Sequence, residues 1–153
     1  MKYPDTLRVE LYAQCVIFAN KRIANALQAL RDAQEAANGE EKSSAGDKYE
    51  TGRAMAHLER EKAEQQLEEA NKLIAMLNKV SSAIPSDRIS LGSVVITNEG
   101  NFYIAISAGK ISVGEIDFIA LSPVSPIGTM LLHKKAGEKI LFNKQSFEIL
   151  EIL

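Results

Sequence analysis

Three sets of side chains in this sequence could do chemistry: one cysteine, two histidines and a pair of carboxylates spaced three residues apart. Cys15 lies on the apolar side of a helical pattern, which is typical of a packed thiol. His57 and His133 have no partner at metal-ligand spacing. The sequence holds no phosphate loop, no nucleophile beside a base and no complete metal site. We therefore predict a protein that is not an enzyme by itself.

Asp47 and Glu50 are the paired carboxylates, and their spacing has an ordinary structural explanation. An Asp followed three residues later by a Glu at the start of a helix forms a capping box, in which the two side chains satisfy free backbone amides. Spacing alone favours this role. Their position along the chain keeps a functional role open, because the helical pattern restarts at this point after an interruption.

Two long helices are predicted to position this pair. The first is predicted to start just after Pro4, where Asp5 or Thr6 can accept from the free amides of the first turn, and to stop at Asn38-Gly39. The second is predicted to begin near Asp47 and to end before Ser81. The apolar positions are Leu7, Leu11, Cys15, Phe18, Ile23, Leu27 and Leu30, with Ala19, Ala26, Ala33 and Ala37 between them, and then Met55, Leu58, Leu67, Ala70, Leu73, Ile74, Leu77 and Val80. At about 1.5 Å per residue each helix is roughly 50 Å long, and two helices of equal length joined by a short tip predict an antiparallel coiled coil.

The middle of the second helix is almost wholly polar. Residues 59–66 carry charged and amide side chains around a single alanine. We expect this stretch to bury little apolar area, because its side chains are polar, and to be supported mainly by neighbouring turns and charge pairs. Charge pairs within one helix contribute only about 0.2–0.5 kcal/mol each. The helical hairpin is therefore expected to be flexible, or to be stabilised by a partner.

The second half of the chain changes to the pattern of a sheet. Five apolar runs are predicted to form strands, over residues 93–97, 102–107, 116–121, 139–142 and 146–152. Between the third and fourth runs, Ser125 can cap and Pro126 can open a short helix that extends over 129–133. The prediction is a sheet of about five strands with one short helix on its face.

The predicted fold class is α+β, with a long antiparallel coiled-coil hairpin followed by a small β-rich domain. The hairpin takes residues 1–82 with its tip near 39–50, the linker takes 83–88 and the β-rich domain takes 89–153. A net charge of −2 gives no overall electrostatic attraction to nucleic acid. No signal peptide and no apolar run of membrane-spanning length is present in the sequence, so we predict a soluble, cytoplasmic protein without a membrane partner.

A family resemblance is carried by residues 125–138, which read Ser-Pro-Ile-Gly-Thr-Met-Leu-Leu-His-Lys-Lys-Ala-Gly-Glu. This segment resembles the C-terminal signature of the GreA/GreB transcript cleavage factors of bacteria, and residues 147–152 fit the same pattern. His133 stands where that family often has Gly. The resemblance implies an FKBP-like fold for the β-rich domain and a coiled coil before it, which is the domain order predicted above.

In that family the coiled coil enters the secondary channel of RNA polymerase, and acidic residues at its tip help to hold the second catalytic Mg²⁺. The polymerase then hydrolyses its own backtracked RNA. Residues 46–50, Gly-Asp-Lys-Tyr-Glu, resemble the family's Gly-Asp-x-x-Glu tip. The resemblance thus implies that Asp47 and Glu50 assist the metal. Lys48, Tyr49 and Arg53 are predicted contacts at the tip, and for Arg53 an ordinary surface charge is the competing interpretation.

The same resemblance implies the remaining partners and contacts. RNA polymerase is the expected partner, with indirect contact to the RNA 3′ end, and the chain is expected to be a monomer. Ser125, Pro126, Ile127 and Gly128 are expected to dock on the polymerase. No tightly bound cofactor and no metal in the isolated protein are expected, since the Mg²⁺ is shared with the polymerase.

Two other functions stay open at the level of sequence. A Gre-like regulator could occupy the same channel without promoting cleavage, because Thr51-Gly52-Arg53-Ala54 stands where the family continues with Asn-Ala-Glu-Tyr. A prolyl isomerase or chaperone of the FKBP type ranks lower. The isomerase pocket of that family commonly has a tryptophan floor, and this chain has no tryptophan.

Overall fold

The structure is a computed structural model that describes the backbone of residues 3–42 and 46–153 and the side chains of 3–39 and 51–153. Two long helices come first, and a six-stranded sheet with one short helix follows. The predicted α+β class, with the helical hairpin ahead of the β-rich domain, is confirmed. Among the described residues, no helix combines the length and apolar character needed to cross a bilayer.

The two long helices are α1, Leu7–Lys42, and α2, Gly46–Ser81. The predicted position of the start is confirmed, because α1 begins at Leu7, directly after Thr6. The first-turn amide of Glu10 donates to the carbonyl of Thr6, whereas Thr6 Oγ1 donates to Glu10 Oε1 at 2.7 Å and, among the described residues, does not accept from a backbone amide. The predicted stop at Asn38-Gly39 is wrong. A glycine inside a helix costs only about 1 kcal/mol, and the next residues, 40–42, are Glu-Glu-Lys, which favour helix.

The apolar stripe of the hairpin differs from the one expected. Met55 and Leu58 are predicted to belong to it, yet each is 62% exposed, and Leu27 is also exposed. Alanines take the buried positions in their place, including Ala63 in the polar stretch of α2. The prediction for these large residues is wrong because a periodic pattern does not show which side of a broad stripe faces the partner helix.

The sheet contains six strands and α3 lies between the fourth and fifth. In chain order the elements are β1 Val94–Thr97, β2 Gly100–Ile104, β3 Gly109–Val113, β4 Ile116–Leu121, α3 Pro126–Leu131, β5 Lys139–Phe142 and β6 Gln145–Ile152. The strand order is β3-β4-β2-β1-β6-β5, and only β2 and β4 run parallel. The short helix is predicted to reach residue 133, but it ends at Leu131.

Strand β3 is absent from the sequence prediction. It pairs antiparallel with β4, with Ile111 opposite Phe118 and Val113 opposite Ile116. Glycines stand at both ends of this five-residue segment, at 109 and 114, so its sequence resembles a loop. As an edge strand it leaves backbone groups open, and Gln14 of α1 covers one of them by donating from Nε2 to the carbonyl of Ser112 at 2.6 Å.

The sheet buries apolar side chains on both of its faces. Alternate residues on β2 show this, since Phe102 and Ile104 belong to the core beneath α3. Tyr103 between them is equally buried and interacts electrostatically with Cys15 and Tyr12 of α1. One face of the sheet therefore packs on α3, and the other packs on the beginning of the helical hairpin.

The chain divides into two compact units, and the division cuts across both long helices. The first, here called the sheet unit, comprises Met1–Phe18 and Ala75–Leu153; the second, here called the arm, is Ala19–Ile74. All described residues of the arm are helical. The ends of the hairpin thus belong to the sheet unit, and the arm must be held together by contacts between its two helices.

Candidate functional site

The predicted acidic pair lies at the start of α2. This helix begins at Gly46, so Asp47 and Glu50 both fall near its first turn, and Lys48 and Tyr49 lie between them. Negative charge in a first turn is stabilised by the helix dipole. The side chains of these four residues lie outside the described part of the structure. Their roles as metal-assisting acids, tip contacts or helix caps therefore stay predictions.

Arg53 is the first predicted tip contact whose side chain is described. It is exposed on α2, two turns after Gly46. Across the described side chains, no group of three or more His, Cys, Asp and Glu residues is arranged to hold a metal ion. His57 lies on the helix surface, as predicted, and its Nε2 is 3.1 Å from Glu61 Oε1.

The seam between the two helices of the arm is built from alanines. Every arm residue that is buried, among those whose side chains are described, is an alanine: Ala19, Ala26 and Ala33 on α1, and Ala56, Ala63 and Ala70 on α2. Both sets repeat every seven residues, which is the repeat of a coiled coil. Ala70 is among the predicted core residues of α2, whereas Ala56 and Ala63 were missed.

The alanines of the two helices lie level with one another. Those on α1 are 9, 16 and 23 residues before the helix ends at Lys42, and those on α2 are 10, 17 and 24 residues after it begins at Gly46. In an antiparallel hairpin these distances pair Ala33 with Ala56, and the next two pairs follow. Small side chains let helix axes approach to about 8 Å, the lower end of the usual range. The arm is therefore a slender pair of helices.

On the outer surface of α2, side chains of opposite charge form ion pairs along the helix. Arg60 Nε lies 3.0 Å from Glu64 Oε1, and Lys72 Nζ lies 3.9 Å from Glu68 Oε1, both at a spacing of four residues. One contact crosses between the helices, from Arg60 Nη1 to Gln34 Oε1 at 3.4 Å. The sequence predicts charge pairs as support for the polar stretch 59–66, and Arg60–Glu64 is such a pair, although the pairs themselves were not identified there.

A shallow groove crosses the seam of the arm towards the end that carries Lys42 and Gly46. This arm groove has a volume of about 460 Å³. Its described lining is Ala29, Asp32, Ala33 and Ala36 from α1 with Gly52, Met55, Ala56 and Glu59 from α2. The floor is made of small side chains and the thioether of Met55, and each helix contributes one carboxylate. No residue type or spacing singled out this groove in the sequence.

The predicted docking segment of the β-rich domain has a clear structural role. Ser125 caps α3, as predicted, because its Oγ accepts from the amide of Gly128 at 3.2 Å and donates to the carbonyl of Ser122 at 2.7 Å. Pro126 opens the helix. A Cβ on Gly128 would overlap the carbonyl oxygen of Ser122, so no other residue fits. Ile127 is partly buried and packs against the sheet core.

Two further predictions can be checked in the sheet unit. Cys15 is buried, as predicted, and burial raises the pKa of its thiol to about 11. His133 has φ +69°, a left-handed conformation that favours glycine. Its backbone is held there, because its amide donates to the carbonyl of Ile89 and its own carbonyl accepts from Arg88 Nη1 at 3.1 Å. Within the described residues, the His133 side chain belongs to no metal-binding group.

The chain was compared with models of known protein families, with curated proteins and with solved structures, and none of the three comparisons finds a match.

Proposed function

We propose that this protein binds a bacterial RNA polymerase, inserts the arm into the secondary channel and stimulates cleavage of backtracked RNA through Asp47 and Glu50. The observation that carries the proposal is the alanine seam of the arm. A probe for a narrow channel must be long and thin, and side chains larger than alanine between the helices would widen it. The proposal also draws on the sequence resemblance of residues 46–50 and 125–138 to the Gre factors.

The dimensions of the arm suit this use. Helices that pack at about 8 Å and are each about 10–12 Å wide give a cross-section of roughly 10 by 20 Å. From Ala19 to Lys42 the first helix of the arm rises about 35 Å. A pair of this size carries the first turn of α2, and with it Asp47 and Glu50, to one end of the arm.

The chemistry that the pair would supply follows from the needs of a second metal ion. Mg²⁺ prefers oxygen ligands and keeps several waters, and a second ion stabilises the attacking and leaving oxygens during phosphodiester hydrolysis. In the proposed complex the carboxylates of Asp47 and Glu50 would share this ion with the polymerase. The protein would then act as an activator of the hydrolytic activity of its partner.

The test is RNA cleavage in a backtracked elongation complex at limiting Mg²⁺. Asp47→Asn and Glu50→Gln remove the charges while keeping side chains of the same shape, and Asn caps helices as well as Asp does. We expect the wild type to accelerate cleavage and each variant to lose roughly tenfold or more of that stimulation. Glu69→Gln, which makes the same charge change on an exposed position of the arm, should behave as the wild type.

The other outcomes separate the competing functions. Binding to the polymerase without stimulated cleavage would indicate a regulator that occupies the channel, with Asp47 and Glu50 acting as helix caps. The absence of binding would reject both functions and leave the resemblance without functional meaning. Equal stimulation by the wild type and both variants would reject the acidic pair as the metal-assisting residues.

A further inference from the structure

We propose that the arm groove is a docking site for a lysine or arginine side chain of the polymerase channel wall. This inference rests on the proposed function and adds the chemistry by which the arm would be held. The groove has a floor of alanines, Gly52 and the 62% exposed Met55. Such a floor suits the aliphatic stem of a long cationic side chain.

The charges of the groove favour a cation over any other head group. Asp32 on α1 and Glu59 on α2 both line it, and its described lining contains no basic residue. Asp32 Oδ1 accepts a hydrogen bond from Gln28 Nε2 at 2.8 Å, but a neutral amide does not cancel its charge. Within the described side chains, neither carboxylate has a basic group within 4.0 Å.

Two nearby arginines, Arg31 and Arg60, are engaged elsewhere. Arg31 donates from Nη2 to Gln28 Oε1 at 2.6 Å. Arg60, which follows Glu59 in sequence, is paired with Glu64 and reaches Gln34. In the described part of the arm, the groove thus keeps two negative charges on opposite sides of an apolar floor, and a cation from a partner would interact with both.

The first experiment compares binding to bacterial RNA polymerase core enzyme by the wild type and by the double variant Asp32→Asn/Glu59→Gln. We expect the double variant to bind roughly tenfold more weakly, since each exposed ion pair contributes up to about fivefold. Its affinity should also depend less on salt. Circular dichroism should show an unchanged helix content, because neither carboxylate is buried.

The matched control is the double variant Glu35→Gln/Glu69→Gln. It makes the same total charge change, again with one residue on each helix, at exposed positions that do not line the groove. We expect wild-type affinity from it. An equal loss of affinity in both double variants would overturn the groove and indicate a general charge effect.

A photo-reactive benzoylphenylalanine in place of Met55 provides an independent measurement. Crosslinked peptides of the polymerase should contain a lysine or arginine beside the site of attachment, whereas attachment to an acidic or wholly apolar segment would overturn the inference. If the wild type binds and the Asp32/Glu59 variant binds equally well, the groove proposal fails and the proposed function stands. If the wild type does not bind the polymerase, the proposed function fails and takes this inference with it.

Discussion

The arm and the sheet unit bury side chains of very different size. Buried residues in the sheet unit include Phe118, Tyr103, Leu11 and Leu131, while the arm buries alanines only, among its described side chains. A fully buried large apolar side chain contributes about 1.5–3 kcal/mol, and an alanine methyl contributes about 0.8 kcal/mol. Each buried side chain therefore stabilises the sheet unit more than the arm, whereas the small side chains of the arm let its two helices pack closely.

The largest loss of stability is expected from a substitution in the core of the sheet unit. Phe118 is fully buried, and Phe118→Ala should lower the free energy of unfolding by about 3–5 kcal/mol, because it removes a large side chain and leaves a cavity. Its neighbour Ile119 is 48% exposed, so Ile119→Ala should cost less than about 1.5 kcal/mol. Urea unfolding followed by circular dichroism measures both. Similar losses at the two positions would contradict the buried face assigned to Phe118.

The second-largest effect is a fall in the free energy of unfolding at high pH, and it comes from Cys15 on α1 in the sheet unit. Burial raises the pKa of Cys15 from its usual 9.0 to about 11, so the folded protein holds the thiol proton more tightly than the unfolded chain. This contribution is fully present below pH 9 and is lost as the pH rises towards 11, amounting to about 2–3 kcal/mol. Burial also raises the pKa of Tyr103, which acts in the same direction at higher pH.

Urea unfolding at about pH 8, 9.5 and 10.5 measures this loss. In Cys15→Ala the fall in unfolding free energy between pH 8 and 10.5 should be smaller by about 2 kcal/mol, leaving the part due to Tyr103. Native Cys15 should also resist alkylation at about pH 8, because the thiolate is the reactive form. An identical pH dependence in the variant would show that Cys15 is not the titrating group.

The third effect should be confined to the arm. Ala26 is 1% exposed in the seam, and Ala26→Leu should push the helices apart at a cost of about 1–3 kcal/mol. Ala24 is exposed on the same turn, so Ala24→Leu should be nearly neutral. Amide hydrogen exchange should become faster over 19–74 in the first variant only, with the strands unchanged. Equal exchange in both variants would argue against a close alanine seam.

The smallest effect is a gain in thermal stability, expected from a substitution in the sheet unit. His133 occupies a left-handed conformation that costs a non-glycine residue about 1 kcal/mol, so His133→Gly should raise the melting temperature by about 2–4 °C. Lys134→Gly serves as the control, because Lys134 is outside the left-handed region and should lose stability instead. Calorimetry distinguishes the two signs. A loss in both variants would show that the His133 side chain contributes more than its conformation costs.

The elements of this fold were predictable where local signals were strong. The two long helices, the Ser125 cap and five of the six strands follow from periodicity and turn residues, whereas β3 was hidden by its flanking glycines. Four of the six seam alanines belong to the predicted apolar stripe, but Ala56 and Ala63 were missed. Alanine barely registers as apolar, so the pattern favoured Met55 and Leu58 over them. The arm groove could not be predicted, since it depends on which residues of two separate helices lie level with each other.

The heptad spacing of the alanine pairs restricts the lengths that the arm can have. Adding seven residues with one alanine to each helix would lengthen it by about 10 Å and return the first turn of α2 to nearly the same facing, because seven residues are close to two turns. Adding three or four residues to each helix would also lengthen the arm, but it would break the match between alanine layers. Reach can therefore change only in steps of about 10 Å, and any relative of this chain with a different reach should differ by whole heptads.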